Sequence, residues 1–255
     1  DLTTLGTIIG NNPEALAAAI AAPVGVEKIP VYPVANFGSQ MAPLYTILAL
    51  WVGSILMVVS LRSDVTDSNV AEGLPEGDSL RVTLTAKPVG LAAGYLGRYL
   101  IFGTIALAQA TLVGLGDLYF LKVQHAHPLQ FMGTLWLTAV VFSFLLYTLI
   151  ATFGNAGKAL GVLLLVLQIS GAGGAFPLAI LPSFFSSVSP FLPATHAITA
   201  LRASIAGYSG HEYADAMWFL SSFILFAAFL GLALRPLLVR NNRRMVEKLE
   251  ATKLL

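Results

Sequence analysis

An all-α protein that crosses a membrane several times is the fold class this sequence predicts, on three observations. First, five long apolar runs cover 42–61, 99–119, 131–152, 159–175 and 217–234. A helix needs about 20 apolar residues to cross a bilayer core. Second, the chain is 56% hydrophobic and 11% charged, where soluble domains carry about 25% charged residues. Its mean hydropathy is +0.79. Third, the basic residues gather between alternate runs.

That third pattern orients the chain. With the first run starting outside, the cytoplasmic segments hold Arg62, Arg81, Lys87, Arg98, Lys158, Arg235, Arg240, Arg243, Arg244, Lys248 and Lys253. The outside segments hold only Lys28, Lys122 and Arg202. Positive charge collects on the cytoplasmic side of membrane proteins. Five spans then place the N-terminus outside and the C-terminus in the cytoplasm. The chain opens at Asp1 with no basic segment leading into an apolar one, so nothing here delivers that N-terminus across the membrane. The expectation is a further transmembrane helix upstream, making six in the whole protein.

Residues 1–41 read as the end of an extracellular domain. Asn12-Pro13-Glu14 is a helix start, with a capping side chain, a proline at the first helical position and an acid in the first turn. Pro23 ends that helix. Lys28 to Val34 is extended, because residues before Pro30 and Pro33 are pushed out of the helical region. The transmembrane domain is expected over 42–238. Its first span follows Pro43, with Trp51 and Gly53 near its middle and Trp51 packing on a neighbouring helix.

The cytoplasmic loop 62–98 begins with an acidic, Gly/Pro-containing stretch, Asp64 to Asp78. Leu80 to Lys87 fits a strand or one side of a short helix. Gly90 to Arg98 is apolar and rich in small residues, an elbow before the second span, with Arg98 at the inner surface. The second span ends near Asp117, read as a solvated end cap or a substrate or gating residue. His125 and His127 lie in a short outside link. The turn Gly154 to Lys158 makes spans three and four a helical hairpin, and Gly157 with Gly161 suits close helix contact.

After the fourth span comes an outer re-entrant segment, 176–195, with Pro177, Pro182, Pro190 and Pro193 among several phenylalanines. It is too apolar for a free loop and too broken for one spanning helix, so it reads as short helices that dip into the outer leaflet or cap the bundle. Irregular backbone at that depth needs burial in protein or a wet cavity. Residues 195–215 are expected to return to water. The basic tail, 239–255, fits either an amphipathic helix on anionic lipid or an ordinary stop-transfer anchor.

Little here carries chemistry. A Gly-rich phosphate loop of the GxxxxGK[ST] form and an HExxH zinc motif are both missing from the chain, which also has no cysteine. Neither a cofactor nor a metal site is expected, and His125 with His127 is a weak pair without a third ligand. Ser204 and His211 lack the third group a hydrolase needs. A net charge of +1 gives no field to recruit nucleic acid. No span has a carboxylate near its middle, which argues against an ion-coupled carrier. Gln109 and Gln168 are the polar exceptions near the midplane. They line an intramembrane polar path, or they make interhelical hydrogen bonds worth about 0.6 kcal/mol each.

The segment Tyr32 to Pro43, with Asn36, Gly38, Ser39 and Pro43, followed by Leu50-Trp51-Val52-Gly53, resembles the start of the membrane domain in the phage infection protein (YhgE/Pip) family. The match continues loosely through Gln109, Phe176 to Pro193 and Ala200-Leu201-Arg202. The resemblance implies a first helix, a large extracellular domain and five further helices, with a membrane domain similar to type-2 ABC exporter permeases. It further implies a homodimer in a bacterial plasma membrane and a separate ATPase subunit docking within 80–98, at Arg81, Lys87 and Arg98. Phage contact at the cell surface is a further implication. The function expected is therefore a permease-like subunit of an export or cell-envelope system, not an enzyme. The alternative is a membrane anchor that presents an upstream ectodomain as a phage receptor or assembly scaffold.

Overall fold

The computed structural model describes residues 31–61 and 91–234. Arg81, Lys87, the 62–90 part of the loop, the upstream helix at Asn12 and the basic tail lie outside them. The chain divides at Pro33/Val34, and the helical bundle belongs to the unit from Val34 onward. Its elements are α1 (Phe37–Ser60), α2 (Leu91–Leu115), α3 (Pro128–Phe153), α4 (Asn155–Gly171), α5 (Ser183–Val188), α6 (Pro193–Ala206) and α7 (Glu212–Phe229). Wide π turns extend α2 through Gly116–Phe120 and α7 through Leu230–Leu234. Among the described residues there is no strand.

Among the described residues, four helical stretches are long and apolar enough to cross a membrane: Phe37–Ser60, Ala92–Phe120, Pro128–Phe153 and Glu212–Ala233. The fourth expected span is shorter. Its helix, α4, has 17 residues, about 25 Å against a core of about 30 Å.

α3 is the axle of the bundle, packed by α1, α2, α4, α6 and α7. Three of its buried hydroxyls are satisfied within the helix itself. Thr134, Thr138 and Thr148 each donate to the carbonyl four residues back, at 2.7–2.8 Å. The outward faces stay apolar, as with Leu96, Leu100, Ile101 and Ile105 of α2 and Trp218, Phe219, Leu225 and Phe226 of α7.

Several element bounds differ from the sequence reading. α1 begins at Phe37, so Pro43 lies inside the helix. Asn36 caps it, its side-chain oxygen accepting from Ser39 N at 2.8 Å. From Leu91, where the described residues resume, α2 runs through Arg98 without a break. There is no separate elbow, because Tyr95 and Tyr99 lie four apart, on the stripe that packs against α3.

The proline-rich segment is a series of short helices, each opened by a proline. Pro177 precedes a 3-10 turn at Leu178–Ile180, Pro182 precedes α5, Pro190 lies in the first turn of Ser189–Phe191, and Pro193 begins α6. Pro193 stands at the first helical position, where a fixed φ and a missing N–H cost nothing. Residues from 195 onward do not all return to water. Ala194, Ala197, Ile198, Leu201 and Ile205 are buried, because their helical spacing makes one apolar stripe against α1, α3 and α7. Between α4 and this segment, Ala172 to Gly174 are buried and irregular. Arg202 meets the polar need of that break, donating to Gly173 O at 3.0 Å and Gly174 O at 2.8 Å.

Candidate functional site

The polar groups of the bundle fall into four places. At its middle, Gln109 of α2 donates from Nε2 to Ala49 O of α1 at 3.2 Å. Gly53 makes this contact fit: a Cβ there would overlap the Gln109 carboxamide. Gly53→Val should therefore displace the Gln109 side chain and break its bond to Ala49 O, at a cost of about 1 kcal/mol. Gln109→Ala should recover more than half of that loss. Thermal unfolding of the two single variants and the double variant would measure the coupling, and additive effects would show that the two residues are independent.

Gln168 lies elsewhere, on α4, 4% exposed. Neither its Nε2 nor its Oε1 has a hydrogen-bond partner. It forms one wall of a small pocket with Leu44, Ile47 and Trp51 of α1 and Ala194 and Ile198 of α6. Trp51 is fully buried, sets its ring edge-to-face on Phe142 at 4.7 Å, and donates from Nε1 to Gly161 O at 3.3 Å. Gln109 and Gln168 are thus held by different helix pairs, and no described contact joins them.

The third place is the proximal end of the bundle, where α1 starts. Here the motif of residues 35–46 is tied to the link between α2 and α3. Ala35 N donates to Gln124 Oε1 at 2.6 Å, Gln124 N donates to Ser39 Oγ at 3.0 Å, and Thr46 Oγ1 donates to Asp117 Oδ2 at 2.6 Å. Asp117 is 6% exposed, which corrects its reading as a solvated end cap. The signal was present in the sequence: Phe102, Ala106, Ala110, Val113 and Asp117 continue one helical stripe, and that stripe faces the bundle. The link also rests on α6, with Ala126 N and His127 N each 3.0 Å from Ser204 O. His125 and His127 do not converge. Nδ1 of His125 is 2.9 Å from Val123 O, while His127 packs on Tyr208. Ser204 Oγ donates to Leu201 O of its own helix.

The fourth place is the distal end, where α2 starts. Tyr95 Oη pairs with Thr148 Oγ1 at 2.5 Å, Tyr147 Oη donates to Tyr95 O at 2.9 Å, and Tyr99 Oη donates to Val140 O at 3.1 Å. Gly231 of the α7 π turn leaves room for the Tyr95 hydroxyl. Arg98 bonds back to Gly94 O at 2.9 Å. The sequence reading passed over these tyrosines, because a tyrosine in an apolar run does not announce which carbonyl it will reach.

The family model described as ABC-2 family transporter protein matches residues 2–235. The chain belongs to this family. It is also 28% identical over 215 residues to the uncharacterized protein YhgE of Bacillus subtilis, covering 84% of this chain and 25% of that protein. This bears out the resemblance drawn from Tyr32 to Pro43. The chain spans about a quarter of the length of that relative. No solved structure matches. As an ABC-2 transporter protein the chain is a multi-pass, permease-like membrane component. The geometry gives the residues of its motif concrete work: Asn36 and Ser39 set the start of α1, Gly53 admits Gln109, and Trp51 closes the packing between α1, α3 and α4.

Proposed function

We propose that this chain is the membrane subunit of an ATP-driven exporter of amphiphilic molecules in a bacterial plasma membrane. The family match over residues 2–235 carries this reading. Its N-terminal segment lies outside and its C-terminal tail in the cytoplasm, following the distribution of basic residues. Two copies form the working unit. A separate ATPase subunit supplies the energy, since the chain has no phosphate-binding glycine loop of its own. That subunit docks on the 62–98 loop through Arg81, Lys87 and Arg98. The hydrogen bonds of Tyr95 and Tyr99 support this assignment: they bolt the start of α2 to α3, so force applied at the loop is passed to the centre of the bundle. The chain's work is transport and not catalysis.

The test exchanges residues 80–90 for a Gly/Ser stretch of equal length. Co-purification of the ATPase, and its turnover dependent on this subunit, should both be lost while the bundle still folds. Retention of both would remove the docking assignment. A second reading is favoured by the length of the relative, three-quarters of which lies outside the match. In it the bundle anchors an ectodomain that meets a phage or cell-surface partner, with the 35–46 tie to Asp117 and Gln124 holding the anchor rigid. Gln109→Leu and Gln168→Leu would then leave function intact, whereas the export reading has them reduce it.

A further inference from the structure

The pocket beside Gln168 has a chemistry that neither packing nor the docking assignment explains. A buried amide with no partner costs about 1–3 kcal/mol by protein mutational data, yet both polar atoms of Gln168 are buried without one. The other residues around the pocket are apolar: Leu44, Ile47 and Trp51 on one side, Ala194 and Ile198 on another. It has room for about one water-sized group. It opens past Leu48, Leu165 and Ile169, which are partly or well exposed on the outward surfaces of α1 and α4.

These features define a ligand. No charged side chain lines the pocket, so the group that enters is uncharged. It must both donate and accept, because Oε1 and Nε2 both lack a partner; neither atom is itself exposed, so the amide turns toward the group as it enters. A lone water would gain only these two bonds, where buried waters typically make about three, and would leave the apolar mouth uncovered. A hydroxyl carried on a hydrocarbon chain satisfies both parts. Its oxygen pairs with the amide, and its chain lies across Leu48, Leu165 and Ile169.

We propose that the α1/α4/α6 pocket is a binding site for a membrane amphiphile, which inserts one uncharged hydroxyl against Gln168 and lays its hydrocarbon along the mouth. The purpose of such a site rests on the exporter reading; the binding itself does not.

Trp51 reports on it directly, being a wall of the pocket. The chain has three tryptophans, so Trp136→Phe with Trp218→Phe leaves Trp51 as the sole emitter. The full chain in phosphatidylcholine vesicles is titrated with 9,10-dibromostearyl alcohol and, separately, with 9,10-dibromooctadecane, which lacks the hydroxyl. The alcohol should quench Trp51 saturably, at a mole fraction about tenfold below that needed by the alkane, the ratio given by 1.4 kcal/mol of hydrogen bonding. Gln168→Met, of similar volume, should erase the preference. Ala194→Phe, which fills the pocket, should remove saturable quenching by both.

Equal quenching by alcohol and alkane in the unaltered pocket overturns the proposal without reference to any variant. So does an alcohol preference that survives Gln168→Met, and so does an absence of saturable quenching, which would leave the amide to water alone. The exporter reading fails separately. Loss of ATPase coupling would not alter the quenching, and absent quenching with coupling intact would remove only this site.

Discussion

Gly157→Ala should lower the thermal unfolding midpoint by about 10 °C, from a cost near 3 kcal/mol at roughly 3 °C per kcal/mol for a chain of this size. A Cβ at Gly157 would lie 2.9 Å from Ile150 Cα and closer still to the Leu149 carbonyl. These are backbone atoms of α3, so no side-chain rotation relieves the clash; the two helices must separate. They have little freedom to do so, because the hairpin turns on a single residue. Gly154, between α3 and α4, has φ 58 and ψ −126, a conformation open to glycine and strained for other residues. Gly97→Ala is the control. It is an exposed helical glycine with nothing within 4 Å of its would-be Cβ, and it should gain about 0.5–1 kcal/mol of helix propensity. Unfolding followed in detergent by tryptophan fluorescence separates the two cases. A shift of under 2 °C for Gly157→Ala would show that the α3/α4 contact is loose.

Thr46→Val should cost about 1.5–3 kcal/mol, the range for a hydrogen bond to a charged group. The substitution keeps the shape and removes the hydroxyl that Asp117 Oδ2 accepts from at 2.6 Å. A buried carboxylate is then left short of a donor, and the unmet group rather than the lost contact sets the size of the effect. The double variant Thr46→Val/Asp117→Leu should for that reason be more stable than Thr46→Val alone, although it carries one more substitution. Replacing both partners with apolar groups removes the unmet need. The cycle should show a coupling of about 1.5 kcal/mol or more. Additive losses would mean that Asp117 finds another donor and that Thr46 is not its tie.

How much of this could be read in advance depends on the type of residue. Prolines and glycines were legible. Pro177, Pro182, Pro190 and Pro193 each open a helix as their fixed φ requires, and Gly157 and Gly161 sit at the α3/α4 contact, as small residues four apart suggest. Bounds at apolar ends were less so. Nothing in Leu91 to Arg98 marks these residues as already helical, and what they meet on α3 is decided by packing: Tyr95 finds the Thr148 hydroxyl and Tyr99 the Val140 carbonyl. The stretch after the outer segment, 195–215, was misread in part for a related reason. Arg202 looks like a residue of the water phase, yet its guanidinium serves the backbone of Gly173 and Gly174 while the apolar stripe of α6 is buried. A charged residue near a membrane surface signals polarity, not which partner supplies it.

The sequence alone determined that this is an all-helical membrane protein, the approximate places of its spans, and a family resemblance concentrated in Tyr32 to Pro43. Those follow from local physics: apolar length against bilayer thickness, the turn chemistry of proline and glycine, and a short motif. The tertiary structure alone decided that Gln109 is answered by Ala49 while Gln168 is not, that Asp117 is buried on Thr46, and that Tyr95 and Tyr99 lock α2 to α3. These are meetings between residues 41 to 71 positions apart in the chain, or the failure of one. Helical periodicity shows which face a side chain occupies, but only packing decides what stands opposite it.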